Sequence, residues 1–265
     1  MNRISRECDE AKSGGAMREM VRCPAMPKLN REWTVQPHGP LVAVADGIST
    51  VEGSIVMPLG KFPRRMTILS LVDGGSAIWS PICLNAHEMA RIDALGPVRF
   101  LIVPNQGHRL DLHPWSLRYP DARIIAPPSA REAVAEAAPV SAVDDIVGDP
   151  AIGFHLVAGT KADEFALTVR HQDGATLILN DILANVAHPE GLGAQIMARL
   201  LGMGVKRPRT SRPVRRMFVA DTAILADQFR RWAAIADLRR IIVSHGEIID
   251  SDPRAVLLRA ATDFD

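Results

Sequence analysis

Cysteine is scarce in this 265-residue chain: Cys8, Cys23 and Cys83 are odd in number and form neither a C-x-x-C pair nor a zinc-finger pattern with histidine. That excludes a disulfide-stapled scaffold and points to a reduced compartment. An excess of one charge is also missing, because 31 Lys+Arg stand against 30 Asp+Glu for a net charge of +1. Nucleic-acid binding through bulk electrostatics is therefore not expected. No apolar run is long enough to cross a bilayer, and the opening MNRISRECDEAKSGG has no apolar stretch of signal-peptide type, so the expected location is cytoplasmic. Several catalytic signatures are absent too. There is no G-x-G-x-x-G after a strand, no G-x-S-x-G elbow and no H-E-x-x-H. The nearest approach to a phosphate loop, GSIVMPLGKF, has Phe62 where Ser or Thr would be needed.

What is present is an ordinary globular balance, 47% hydrophobic and 23% charged residues, enough for a sizeable core. Residues 1–40 lack a sustained period and read as an N-terminal extension, either a mobile lead or a surface strap. The domain is expected over 41–265. Strands are expected at 41–47, 53–60, 65–73 and 76–82, with DGG at 73–75 as a hairpin turn. Asn85 with Glu88 forms a capping-box spacing for a helix that Gly96-Pro97 stops. Strands follow at 99–104 and 122–128, and Ser129 with Glu132 opens another helix.

The second half repeats the order. Strands are expected at 145–148, 153–159, 165–170 and 175–180, then at 217–221 and 239–246, with a helix over 222–238 and another capped by Asp252-Pro253. Met66 and Trp79 read as core, as does the stripe Ile224, Leu225, Phe229, Trp232, Ile235 and Ala236. A meander followed by helix, strand and helix, twice over, implies two sheets face to face with helices outside.

Polar residues collect where the buried runs end: Asn105, His108, Asp111 and His113; Thr160, Asp163 and Glu164; Asn180 and Asp181; and His245. Imidazole and carboxylate at such ends suit zinc, iron or manganese. His108 reads as a ligand, a general base or a cap of the Gly107 turn, and Asp111 and His113 more simply as caps of a short helix.

The order of these residues resembles the metallo-β-lactamase superfamily, and within it the DUF4336 group. IWSPICLN (78–85), ALGPVRFLIVPNQGH (94–108), YPDARIIAPP (119–128), VAGTKADEF (157–165), ATLILNDIL (175–183) and IIVSHGEII (241–249) carry the likeness. It implies an α/β fold, the αββα four-layer sandwich. It places Asp181 at the family's bridging Asp, His245 at its final His and His108 one residue from a cluster His. Asn105 stands where the first cluster His would be, and Thr160 where a later His would be. The resemblance thus implies a metal-dependent hydrolase with a reduced, mononuclear site. Asp181, His245 and His108 would hold one divalent ion (zinc, iron or manganese), and Asn105 would donate to an oxyanion of a small-molecule substrate.

The alternative is a non-catalytic relative with no ion, which binds an anionic ligand or a protein partner. Its contacts would come from an acid-free stretch between Glu190 and Asp221 that holds seven basic residues, Arg207, Arg209 and Arg212 among them. Together with the apolar Leu192, Ile196, Leu200 and Leu201, that stretch reads either as a lid or as a solvated loop beside a packed helix.

Overall fold

The computed structural model describes residues 29–57, 60–141 and 147–265. Six strands make the first sheet, in chain order across it: β1 (Val42–Ala45), β2 (Ile48–Met57), β3 (Gly60–Ser70), β4 (Ser76–Trp79), β5 (Val98–Ile102) and β6 (Arg123–Ile125). Antiparallel pairing as far as β4 gives way to parallel pairing of β4 with β5 and of β5 with β6. The second sheet holds β7 (Ile152–Leu156), β8 (Phe165–His171), β9 (Gly174–Leu179) and β10 (Leu238–Val243), and only the β9–β10 pair is parallel. Helices are α1 (Ala86–Asp93), α2 (Leu112–Arg118), α3 (Arg131–Ala135), α4 (Leu192–Leu201), α5 (Arg212–Phe218), α6 (Thr222–Ala233) and α7 (Pro253–Thr262).

Strand periodicity sorts the core into three layers of contact, because successive side chains face opposite sides of a sheet. Ala77, Trp79, Phe100 and Ile102 of the first sheet meet Phe165, Leu167, Ile178 and Ile242 of the second. Their strand neighbours Ile78 and Leu101 turn outward to Met89, Ile92 and Trp115 of the helices. On the far side Leu177, Leu179, Ile241 and Val243 pack on Leu225, Phe229 and Leu257. The result is helix, sheet, sheet, helix, the sandwich expected from the order of elements.

Local chemistry differs from expectation in instructive places. Gly53 does not begin a strand; it lies inside β2, where a Cβ would come within 3.2 Å of Ile82. Such a glycine permits close approach and does not mark a break. The segment 217–221 is not a strand. Ser211 caps α5, its Oγ accepting from the Val214 amide, and Pro213 in the first turn favours helix, so Met217 and Phe218 finish that helix. Only Val219 keeps an extended contact, an isolated bridge to Thr160. The helix expected over 222–238 stops at Ala233, and the chain then turns through Asp237 at a φ of 53°. Of its expected core stripe, Leu225, Phe229 and Trp232 are buried and Ile224 is exposed.

Both capping boxes are put to other use. Asn85 Oδ1 does accept from the Glu88 amide at 3.0 Å, but the Glu88 carboxylate takes the Leu41 amide at 2.8 Å. Ser129 Oγ accepts from the Asp163 amide instead of capping α3. In the segment 145–148, Val147 and Gly148 are irregular, and residues 145–146 lie outside the described residues. So do residues 1–28 of the extension. Its remainder lies along the first sheet's helices: the Trp33 indole donates to Leu84 O at 2.8 Å and its ring sits 5.6 Å from that of Trp115.

Candidate metal centre

Three of the predicted residues meet at one point. His108 lies in the loop after β5, Asp181 in the turn after β9 and His245 just past β10, so both sheets contribute. Strand ends of open α/β sheets are where side chains can leave the ladder and face a crevice. His245 Nε2 is 2.7 Å and His108 Nε2 3.3 Å from the same atom, Asp181 Oδ1. One donor atom from each residue falls within 4.8 Å of the others. Ligands at about 2 Å from a tetrahedral ion lie roughly 3.3 Å from one another, so these spacings suit a shared ion.

The distal nitrogens are also engaged. His245 Nδ1 meets Pro63 O at 2.8 Å, and His108 Nδ1 meets Ser80 Oγ at 2.7 Å. Partners of this kind orient a ligating imidazole.

Electrostatics follow from this packing. Burial alone would raise the Asp181 carboxyl, but His108 and His245 outweigh it and hold the group well below the usual carboxylate range. Burial opposes charge on His245, yet the Asp181 hydrogen bond and charge prevail and raise its pKa. For His108 burial wins and the pKa is lowered. The same carboxylate thus favours the proton on His245, while burial disfavours a second one on His108.

Glu164, just before β8, supports this group from behind. Its carboxyl accepts from the Ile182 amide at 3.1 Å and from Asn105 Nδ2 at 3.1 Å, while burial and the Asp181 charge push its pKa up to about 8. Asn105 Nδ2 also donates to Asp181 Oδ2 at 2.8 Å, and Asn105 Oδ1 accepts from the Gly107 amide. Both amide protons of Asn105 are thus given to carboxylates. An oxyanion donor was expected at this position, and here both its N–H groups face carboxylates.

His108, Asp181 and His245 line the floor of a cavity of about 340 Å³ with Ser80, under apolar walls that include Phe62, Leu201, Met203 and Val214. Two larger clefts of about 520 Å³ contain none of the three. The cation on the cavity wall is Arg64, whose Nη1 lies 2.6 Å from Asp111 Oδ2 in a pair buried to 7% and 0% exposure. Asp111 also takes the Asn30 amide group at 2.6 Å, so it does not cap α2. His113 bonds Ala137 O, and Thr160 donates to Val157 O, both away from the cavity.

None of Arg207, Arg209 and Arg212 lines this cavity. Arg207 grips Asp263 through both terminal nitrogens at 3.0 and 2.5 Å. Arg212 donates to Leu200 O, and Arg209 is held at its backbone by two bonds to Ala184. The same segment nevertheless roofs the cavity, through Leu201, Met203, Ser211, Pro213 and Val214. Leu192, Ile196 and Leu200 of α4 stay exposed. Among the described residues no helix is long and apolar enough to cross a membrane.

Ser80, Arg64 and Glu164 were the parts sequence reasoning missed or left without a role. A polar residue closing the buried run AIW, and an arginine pair opening the apolar run MTIL, were the available signals.

No family model matches the chain, and no curated protein matches it either. Solved structures do. The metallo-β-lactamase FIM-1 from Pseudomonas aeruginosa, in its mono-zinc form, is 14% identical over 86% of this chain and 96% of that one, with a TM-score of 0.58. The metallo-β-lactamase DIM-1 exposed to ceftazidime is 12% identical over 88% and 100% of the two chains, with a TM-score of 0.59. A metallo-β-lactamase from Erythrobacter litoralis is 15% identical over 84% and 92%, with a TM-score of 0.54. At these identities the likeness is one of fold: the chain carries the mixed α/β sandwich of the metallo-β-lactamases.

Proposed function

We propose that the protein is a metal-dependent hydrolase of the DUF4336 group, acting in the cytoplasm on a small-molecule substrate through a mononuclear site. The observation that carries this reading is the convergence of His108 Nε2, Asp181 Oδ1 and His245 Nε2 within 4.8 Å on the floor of a cavity. Two imidazoles and one carboxylate are a donor set for zinc, iron or manganese, and three protein ligands leave one position free for chemistry. A single ion is favoured because Asn105 and Thr160, at two positions where the resemblance places histidines, are spent on Glu164, Asp181 and Val157.

When bound, such an ion supplies a hydroxide-strength nucleophile near neutral pH and polarises a carbonyl or phosphoryl oxygen. The residues of the chain do the rest. Asp181, held ionised, would offer Oδ1 to the ion while Asn105 holds Oδ2. His245 turns its Nε2 toward the cavity because Pro63 O takes its Nδ1–H. The apolar walls lower the polarity around the floor, which strengthens electrostatics there.

The alternative, an anion-binding relative built on Arg207, Arg209 and Arg212, has less support, since Arg207 already holds an aspartate and none of the three faces the cavity. The test is to titrate metal-free protein with zinc, iron(II) and manganese by calorimetry, then screen the loaded form on ester, thioester, amide and phosphodiester substrates. One bound ion per chain and hydrolysis of one class is the expected result. Absence of binding to all three ions contradicts the reading.

A further inference from the structure

The chain leaves β4 through Ser80 at a φ of 55°, a left-handed conformation that serine rarely adopts. Its amide continues the ladder by donating to Ile102 O at 2.9 Å, and the turn aims Oγ at His108 Nδ1, 2.7 Å away. The residue is 5% exposed, and the cavity floor includes it. A strained, buried serine directed at an imidazole invites the question of what its hydroxyl does that another group would not.

The answer lies in a contrast between the two histidines. His245 Nδ1 faces the Pro63 carbonyl, which only accepts, so that nitrogen always carries a proton and Nε2 is the one left for other partners. His108 Nδ1 faces a hydroxyl, which both donates and accepts. Without an ion, Asp181 Oδ1 is bonded by Nε2 of both rings, and a carboxylate oxygen accepts only. A His108 ring that carries one proton therefore has it on Nε2, facing the carboxylate, and Ser80 donates O–H to Nδ1. Ligation reverses this: Nε2 must present its lone pair, the single proton moves to Nδ1, and Ser80 Oγ becomes the acceptor. His108 keeps one proton throughout, exchanged through solvent.

Building on the metal site of the preceding section, we propose that Ser80 is a positioning residue that holds the His108 ring in place in both tautomers, as donor when the site is empty and as acceptor when Nε2 ligates. The strain at Ser80 is the cost of placing a hydroxyl where a backbone carbonyl would fix one tautomer only.

Three variants test this. Ser80→Gly relieves the backbone and deletes the hydroxyl, so a purely structural role makes it neutral or stabilising. Ser80→Asp, a residue tolerated in the left-handed region, offers an acceptor only. Ser80→Ala deletes the hydroxyl and keeps the strain.

Cobalt(II) affinity, read from its visible absorption, is expected to fall about 10- to 100-fold in the Gly and Ala variants and to stay within about threefold of wild type in Ser80→Asp. Nitrogen-15 NMR of the metal-free protein is expected to show His108 protonated at Nε2 in wild type and at Nδ1 in Ser80→Asp. Wild-type affinity in Ser80→Gly, or an Nδ1–H tautomer in metal-free wild type, overturns the assignment. If wild type binds no cobalt, the metal-site reading fails, and the tautomers still decide the role of Ser80.

Discussion

Two arginine–aspartate pairs show how differently the cavity floor and the basic segment are built. Arg64 and Asp111 are 7% and 0% exposed, beside the His108–Asp181–His245 group, whereas Arg207 and Asp263 are 40% and 18% exposed at the C-terminal edge. Near the floor, Arg64, Asp111, His108 and His245 are at most 9% exposed and each has a named partner. Along the basic segment, Arg207 keeps 40% exposure in its pair and Arg212 donates to a helix carbonyl, so water can replace what either loses. Density of charge in a sequence is thus a poor guide to chemistry; convergence of charge under cover is a better one.

The largest expected effect is on ion binding. Asp181→Ala or His245→Ala is expected to weaken zinc or cobalt by more than the about 100-fold typical of an outer partner, with the circular-dichroism spectrum unchanged. A variant that still binds as wild type does would erase the distinction between floor and segment.

Stability sharpens the comparison next. Truncating Arg64 to Met strands the buried Asp111 charge and is expected to cost about 3–5 kcal/mol in urea unfolding. Arg207→Gln is expected to cost about 1 kcal/mol or less, because water screens that pair.

Acidity separates the regions further. Glu164 holds its proton to about 8 in the folded chain and releases it near 4.5 when unfolded. The folded state therefore binds more protons between those values, and metal-free protein loses stability as pH rises through that window. In Glu164→Gln that slope should flatten, as measured by urea midpoints at pH 5, 6.5 and 8. His245 runs in a related sense. Its raised pKa means that its ion pair with Asp181 stabilises fully below about 6.5 and is lost as pH rises through the folded value.

The smallest effects are expected at Arg209→Gln and Arg212→Gln, within about twofold in cobalt affinity. A larger loss at either would restore the segment as a ligand-binding element.

Much of the fold was legible because both sheets are covered and their strands alternate faithfully: Leu177 and Leu179 turn one way and Ile178 the other. The hairpin glycines Gly74 and Gly75, both at positive φ, marked the β3–β4 turn as expected. The β2–β3 hairpin was harder, since Gly53 serves close packing on Ile82 and not a turn. Met217 and Phe218 misled because apolar neighbours suit strand or helix alike, and the deciding signal was Ser211-Arg212-Pro213 upstream. At the site, Asp181 and His245 stood out as strand-end residues. Whether His108 faced inward depended on the Gly107 turn, which Asn105 Oδ1 closes through the Gly107 amide. Ser80 was hidden because its role depends on a contact 28 residues along the chain.

Metal content by inductively coupled plasma mass spectrometry, on untagged protein purified without chelator, tests the central claim most directly. The account predicts near-stoichiometric zinc, iron or manganese in wild type and its loss in Asp181→Ala and His245→Ala. Folded wild-type protein that carries no metal and takes up none when offered would contradict it.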